Sequence, residues 1–161
     1  MAINIRKGLK SDLPEILILI KELAKYEDSI DEVTITIEDL EKDGFNNHPL
    51  YWFIVAENEE KIIGMSFYFI RYSTWKGKFL FLEDFIVSKS FRRNGVGSML
   101  FEKTILIAQE MQVNGMIWQV LDWNDLAINF YKKYNAKIDN QWLNGKLTKS
   151  QINSFKKNEG F

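Results

Sequence analysis

Two carboxylates, Glu83 and Asp84, stand side by side inside the otherwise apolar stretch 78–87. A carboxylate in such surroundings is costly unless it is paired or used. Neighbours in a strand point to opposite faces, so one of the two is expected to look into a cleft. A buried ion pair with Lys or Arg is the competing explanation. Residues 26–32 crowd together Glu27, Asp28, Asp31 and Glu32. Such a run suits a solvated loop, and equally a channel that steers a polycation. Segment 87–98 then joins an apolar strand to a helix. Its Gly95 and Gly97 let consecutive N–H groups converge on an anion, the helix dipole adds positive potential, and Arg92 and Arg93 add charge. The spacing is neither G-x-G-x-x-G nor the Gly-Lys-Ser/Thr of a nucleotide loop, and taken alone it fits a tight turn as well.

The rest of the inventory narrows the chemistry. Cysteine is absent, which excludes thiol catalysis and disulfides. His48 is the one histidine, too few for a Ser-His arrangement or a usual zinc site. It precedes Pro49, sits in extended backbone, and receives no catalytic role. Asp, Glu, Tyr and backbone amides remain. The net charge of −1 and pI near 5.9 argue against nucleic acid. No run of about 18 apolar residues suggests a membrane span. The first six residues lack the order of a signal peptide, so a soluble cytoplasmic protein is expected.

These groups need a frame. At 161 residues, 46% hydrophobic and 27% charged, the chain is expected to be a single globular domain, 1–161. Residues 2–6 read as a strand. Ser11 is expected to cap a helix to residue 26, with Leu13, Ile16, Leu17, Ile20, Leu23 and Ala24 on one face. Thr36 and Asp39 form a variant capping box for a helix ending at Gly44. Residues 51–57 and 61–72 read as a hairpin, and 78–87 as a central strand buried on both faces. A helix over 98–111, a strand over 116–121 and a helix over 125–134 follow, with Ala127, Phe130, Tyr131 and Tyr134 on one face. Asn135 fits a left-handed helix end. Strand material is expected in 137–147, and beyond residue 149 a terminal helix or a frayed tail. The order βααβββαβαβ predicts a mixed α/β fold with helices covering a twisted sheet.

Several motifs in this frame agree in order and spacing. Arg92-x-x-Gly95-x-Gly97, after strand 82–87, resembles the acetyl-CoA pyrophosphate loop of GNAT acetyltransferases. Trp123-Asn124-Asp125 with Asn129-Phe130-Tyr131 resembles that superfamily's later motif. The run from Ile20 to Glu27, Asp43-Gly44-Phe45 with His48-Pro49, and Leu82-Glu83-Asp84-Phe85 resemble the spermidine/spermine (diamine) acetyltransferase family, which includes thialysine acetyltransferases. The likeness runs to about Trp142 and fades over 140–149.

The resemblance implies a mostly antiparallel sheet with a splayed central strand. It also implies a direct acetyl transfer from acetyl-CoA to a primary amine of a diamine or polyamine, without a metal. Phe85, Ile86 and Val87 would hold the pantetheine arm through their backbone. Arg92, Arg93, Asn94, Gly95, Val96, Gly97 and Ser98 would cradle the pyrophosphate. Asn124, Asp125, Leu126, Ala127 and Tyr134 match further coenzyme A contacts, Asn124 serving equally as an N-cap. Glu83 would act on the acceptor amine, directly or through water, and Tyr131 would be the general acid. Tyr26, Glu27, Ile117, Trp118 and Gln119 match substrate positions; Trp75 and Trp123 are weaker candidates for an apolar channel. A homodimer is implied. The alternatives are acetylation of thialysine or a lysine-like amino acid, and a non-catalytic sensor of coenzyme A or polyamine.

Overall fold

A computed structural model describes residues 2–59 and 61–155. The chain divides into two compact units, residues 1–119 and 120–161.

The first unit holds a five-stranded sheet in the order β1-β2-β3-β4-β5. Strands β1 (Asn4–Lys7), β2 (Trp52–Asn58), β3 (Lys61–Ser73) and β4 (Gly77–Val87) run antiparallel. The short β5 (Met116–Trp118) is parallel to β4. Two apolar layers cover the sheet. On one face Leu13, Ile16 and Leu19 of α1 (Leu13–Tyr26) and Leu40 of α2 (Ile37–Gly44) pack on Phe53, Val55, Met65 and Ile86. On the other, Val96 and Leu100 of α3 (Val96–Glu110) pack on Ile54, Ala56 and Ile63, with Phe85 and Val87 alongside. Each fully buried Leu or Ile contributes about 1.5–3 kcal/mol.

The start of α1 departs from expectation. Ser11 does not cap it; the helix begins at Leu13, after a short 3₁₀ turn, with no side-chain cap. The buried Asp12 carboxylate is occupied elsewhere. It accepts from the Leu9 N–H at 2.7 Å and from Arg6 at 2.7 and 3.1 Å, and Arg6 also pairs with Glu57 at 2.8 Å. Burial would raise the Asp12 carboxyl, but these hydrogen bonds outweigh it and hold the pKa below its ordinary value. Its contribution is therefore present at neutral pH and lost as pH falls through that lowered pKa. Asp12→Ala should cost about 1–3 kcal/mol in a urea melt at pH 7, because Arg6 and the Leu9 N–H lose their partner. The loss should shrink at acid pH.

The second unit carries α4 (Asp125–Lys132) and α5 (Lys149–Ser154). Asn124 caps α4, its Oδ1 accepting from the Ala127 N–H at 3.2 Å, and Asn135 takes the left-handed conformation at φ 57°. Thr148 and Gln151 form a capping box on α5. The strand expected over 137–147 is not there. Trp142, Leu143 and Leu147 are 81%, 97% and 69% exposed. A strand exists only within a ladder, and the ladders of the sheet end with β5.

Candidate active site

The site starts from an irregularity in β4. Phe67 lies opposite Asp84 while Tyr68 lies opposite Leu82, so Glu83 is the extra residue of a β-bulge. The bulge overturns the expectation that Glu83 and Asp84 face opposite sides. Phe81 stacks on Phe69 on the face of α1, at 5.0 Å, and Leu82 pairs with Tyr68 on the face of α3. Strict alternation would return Asp84 to the α3 face. Instead the inserted residue keeps Asp84 opposite Phe67 on the α1 face, next to Glu83.

The end of α1 brings a third carboxylate, Glu27, toward the same place. Burial, then Glu83, then Glu27 push the Asp84 carboxyl up to about 6. Burial of their carboxyl surroundings also raises Glu83 and Glu27, although Glu83 as a residue is exposed. The ion pair that would have explained these acids structurally is not formed. Among the described residues the ion pairs join Arg6 to Asp12 and Glu57, and Lys10 to Glu41. Asp84 thus sits near two further carboxylates, and none of the three forms an ion pair with Lys or Arg among the described residues. Asp28, Asp31 and Glu32 are exposed beyond them.

The bulge also ends the ladder to β5. Pairing runs Leu80↔Met116, Phe81↔Ile117, Leu82↔Trp118 and stops there. Strand β4 itself continues past that point through Phe85, Ile86 and Val87. Ile117 shares the face of Phe81. Trp118 lies on the opposite face, its ring edge-on to Phe101 of α3 at 5.6 Å. Gln119 is exposed and closes the unit.

Beyond Val87 the chain turns into α3. Gly95 stands at the N-cap with φ 80°, and a Cβ there would meet nothing within 4 Å. Glycine is thus favoured by the backbone angle, and the space before it is open. The helix begins at Val96 rather than Ser98, and no side chain caps it. The first-turn N–H groups of Val96, Gly97 and Ser98 therefore keep their anion-binding capacity. Arg93 adopts φ 64° and is exposed. The Asn94 side chain is spent on the loop itself, donating to the carbonyls of Phe91 and Arg92 at 3.4 and 3.3 Å. Arg92 donates its Nε to the Val87 carbonyl at 2.7 Å and lies over the Tyr26 ring at 5.2 Å.

Sequence reasoning missed Glu22. Its carboxylate accepts from Ser88 Oγ at 2.8 Å and from the Lys89 N–H at 3.0 Å, tying α1 to the loop. A glutamate one turn before Tyr26 was the available signal. Trp75 is 85% exposed. An open groove of about 800 Å³, lined by Glu15, Ile18, Glu22, Lys61, Ser88 and Lys89, contains none of the three clustered carboxylates.

In the second unit Asn124 and Tyr131 are buried, Asp125 and Leu126 are exposed, and Ala127 and Tyr134 are half-buried. Phe130 makes ring contacts with Tyr131 at 5.4 Å and with Tyr134 at 5.5 Å. Trp123 is 52% exposed.

The bulged β4 and the glycine-led start of α3 both lie within a segment that matches a known family. Residues 14–136 match the acetyltransferase (GNAT) family, and the chain belongs to that family. It is 37% identical over 143 residues to the thialysine N-epsilon-acetyltransferase of Bos taurus, covering 84% of each chain. It is also 37% identical over 140 residues to the spermidine/spermine N(1)-acetyltransferase-like protein 1 of Homo sapiens, covering 83% of this chain but only 20% of that protein. An aminoglycoside acetyltransferase from an uncultured soil metagenomic sample shares the fold at a TM-score of 0.75 and 21% identity, over 91% of this chain and 95% of that one. The family, fold and enzyme class expected from the motifs are therefore those found. No helix among the described residues is long and apolar enough to cross a membrane.

Proposed function

We propose that residues 1–161 form one acetyltransferase domain that moves an acetyl group from acetyl-CoA directly to a primary amine of a diamine or polyamine, such as putrescine, spermidine or spermine. The observation that carries this reading is the cluster of Glu27, Glu83 and Asp84 with no basic partner. An acceptor with two or more separated ammonium groups satisfies it, and a neutral acceptor does not.

The residues fit acetyl-CoA. The open space at Gly95 and the uncapped start of α3 suit a diphosphate. The end of β4 past its pairing with β5, at Phe85, Ile86 and Val87, suits a pantetheine arm held by backbone groups. Asn124, Asp125, Leu126, Ala127 and Tyr134 would complete the cofactor contacts. Acetyl-CoA supplies the activated thioester. The reacting ammonium, with a solution pKa near ~10.4, must lose a proton before it becomes a nucleophile. Glu83 takes that proton, through water, while Asp84 and Glu27 hold the remaining positive charge. Main-chain N–H groups of the bulged strand polarise the carbonyl under attack. Tyr131 gives its Oη proton to the departing sulfur. With no cysteine in the chain, the transfer needs no acyl-enzyme. The protein works as a cytoplasmic homodimer without metal, nucleic acid or membrane partners.

Acetylation of thialysine is the second reading, favoured by the bovine relative. It requires a cation for the α-carboxylate, and in this reading Arg92 is given to the diphosphate of coenzyme A. Thiol release from acetyl-CoA across a panel of amines separates the two. Polyamines should outpace peptides and aminoglycosides; thialysine outpacing every polyamine installs the second reading, and coenzyme A binding without any turnover installs a sensor. The cofactor loop has its own check. Gly95→Val should weaken coenzyme A binding by about tenfold or more in calorimetry, since the left-handed angle is unfavourable for a β-branched residue. Unchanged affinity in a variant with a wild-type circular dichroism spectrum would return the loop to an ordinary turn.

A further inference from the structure

We infer that the last turn of α1 is a clamp that holds the coenzyme A loop in its binding conformation, with Tyr26 and Glu22 as positioning residues acting on Arg92 and on Ser88-Lys89. The inference rests on the reading of residues 92–98 as the diphosphate loop.

The segment between Val87 and Gly95 has little of its own to hold it. Its internal bonds are the Phe91 N–H to Ser88 carbonyl at 2.9 Å, the long Arg92 N–H to Lys89 carbonyl at 3.4 Å, and the two weak Asn94 amide bonds. Two of its last three residues, Arg93 and Gly95, have left-handed backbones at φ 64° and 80°. For Arg93 this is a conformation that surrounding structure must enforce.

The Ser88 N–H donates to the Ile63 carbonyl of β3 at 2.8 Å, and further ties to the loop come from α1. Glu22 and Tyr26 are four residues apart, hence on one face of the helix one turn from each other. The Glu22 carboxylate uses one oxygen on Ser88 Oγ and the other on the Lys89 N–H, fixing where the chain leaves β4. Tyr26 presents its ring to the Arg92 guanidinium, with Cζ 5.2 Å from the ring centroid. Nε of the same guanidinium donates to the Val87 carbonyl at 2.7 Å, so ring and carbonyl together set its plane. Its terminal nitrogens make no hydrogen bond among the described residues. A guanidinium held in this way binds phosphate without first losing its rotamer freedom, which is how preorganisation raises affinity.

The arrangement divides labour at the end of α1. Tyr26 faces the cofactor loop through Arg92, and the next residue, Glu27, belongs to the carboxylate cluster. Tyr26 therefore serves coenzyme A binding even with no amine present.

The test is a double-mutant cycle on coenzyme A affinity, measured by titration calorimetry on amine-free protein. Tyr26→Phe keeps the ring and should bind within about twofold of wild type. Tyr26→Leu should weaken binding about fivefold, as expected for losing a cation–π contact and the order it imposes. Glu22→Gln, which leaves one acceptor oxygen for two donors, should weaken it by a similar factor. In an Arg92→Leu background, Tyr26→Leu should have no further effect, because the ring acts through that guanidinium. Full affinity in Tyr26→Leu, or the same fivefold loss with Arg92 already removed, overturns the inference while leaving the diphosphate reading intact. Wild-type protein that fails to bind coenzyme A overturns both.

Discussion

Tyr131→Phe is expected to lower turnover by about 10²–10⁴-fold, the range typical of losing a general acid. A phenol stays protonated at neutral pH yet can give its proton to a developing thiolate. The phenyl ring is retained, so the edge-to-face contact with Phe130 at 5.4 Å persists and α4 is undisturbed. Coenzyme A affinity should stay within about twofold, making this a loss in kcat rather than in binding. A thiolate leaves tolerably well without a proton, which places the expected loss toward the lower end. Rapid-quench measurement of a single turnover isolates the chemical step. Wild-type rates there would make Tyr131 a packing residue.

Asp84→Asn should move stability and activity in opposite directions. The folded pKa of about 6 lies above the ordinary 3.8, so the folded state binds the proton more tightly than the unfolded chain. Stability therefore falls as pH rises from about 4 to about 6, and the full cost of the charged form is felt above that. Two pKa units correspond to about 3 kcal/mol, which partial exposure reduces to about 1–2 kcal/mol. Asn keeps the shape without the charge. The melting midpoint should rise by about 2–6 °C at pH 7.5 and hardly at all at pH 4. The kcat/KM for a polyamine should fall about 10–100-fold, the worth of one charge-assisted hydrogen bond to an ammonium. In the wild type that parameter should decline on the acid side with an apparent pKa near 6. A destabilised variant at pH 7.5, or one with undiminished kcat/KM, would remove Asp84 from the site.

What the sequence made legible were features decided within a few residues. The Thr36–Asp39 box forms as expected, with bonds of 3.0 and 3.1 Å. Asn124 caps α4 and Asn135 is left-handed. The apolar period of α1 was readable too, although buried Leu19 lay outside the expected face. Features decided between distant elements were not. Asp12 is claimed by Arg6, so Ser11 caps nothing. The Glu83 bulge depends on how β4 registers against Phe67 and Tyr68, and it moves both acids to one face. Alternation along a single strand holds no trace of that. Likewise Glu22 reads as one more surface glutamate until Ser88 and Lys89 are brought to it. The strand expected over 137–147 fails for the same reason, since a strand exists only within a ladder.

The central claim is that the unpartnered carboxylates beside the cofactor loop select a polyamine as acetyl acceptor. The most direct measurement is a competition in one tube: acetyl-CoA with equal concentrations of spermidine and thialysine, products quantified by mass spectrometry at low conversion. Acetylspermidine in large excess, with one free coenzyme A released per acetyl group transferred, is the predicted result. Acetylthialysine as the main product, or neither product from protein that binds coenzyme A, would contradict it.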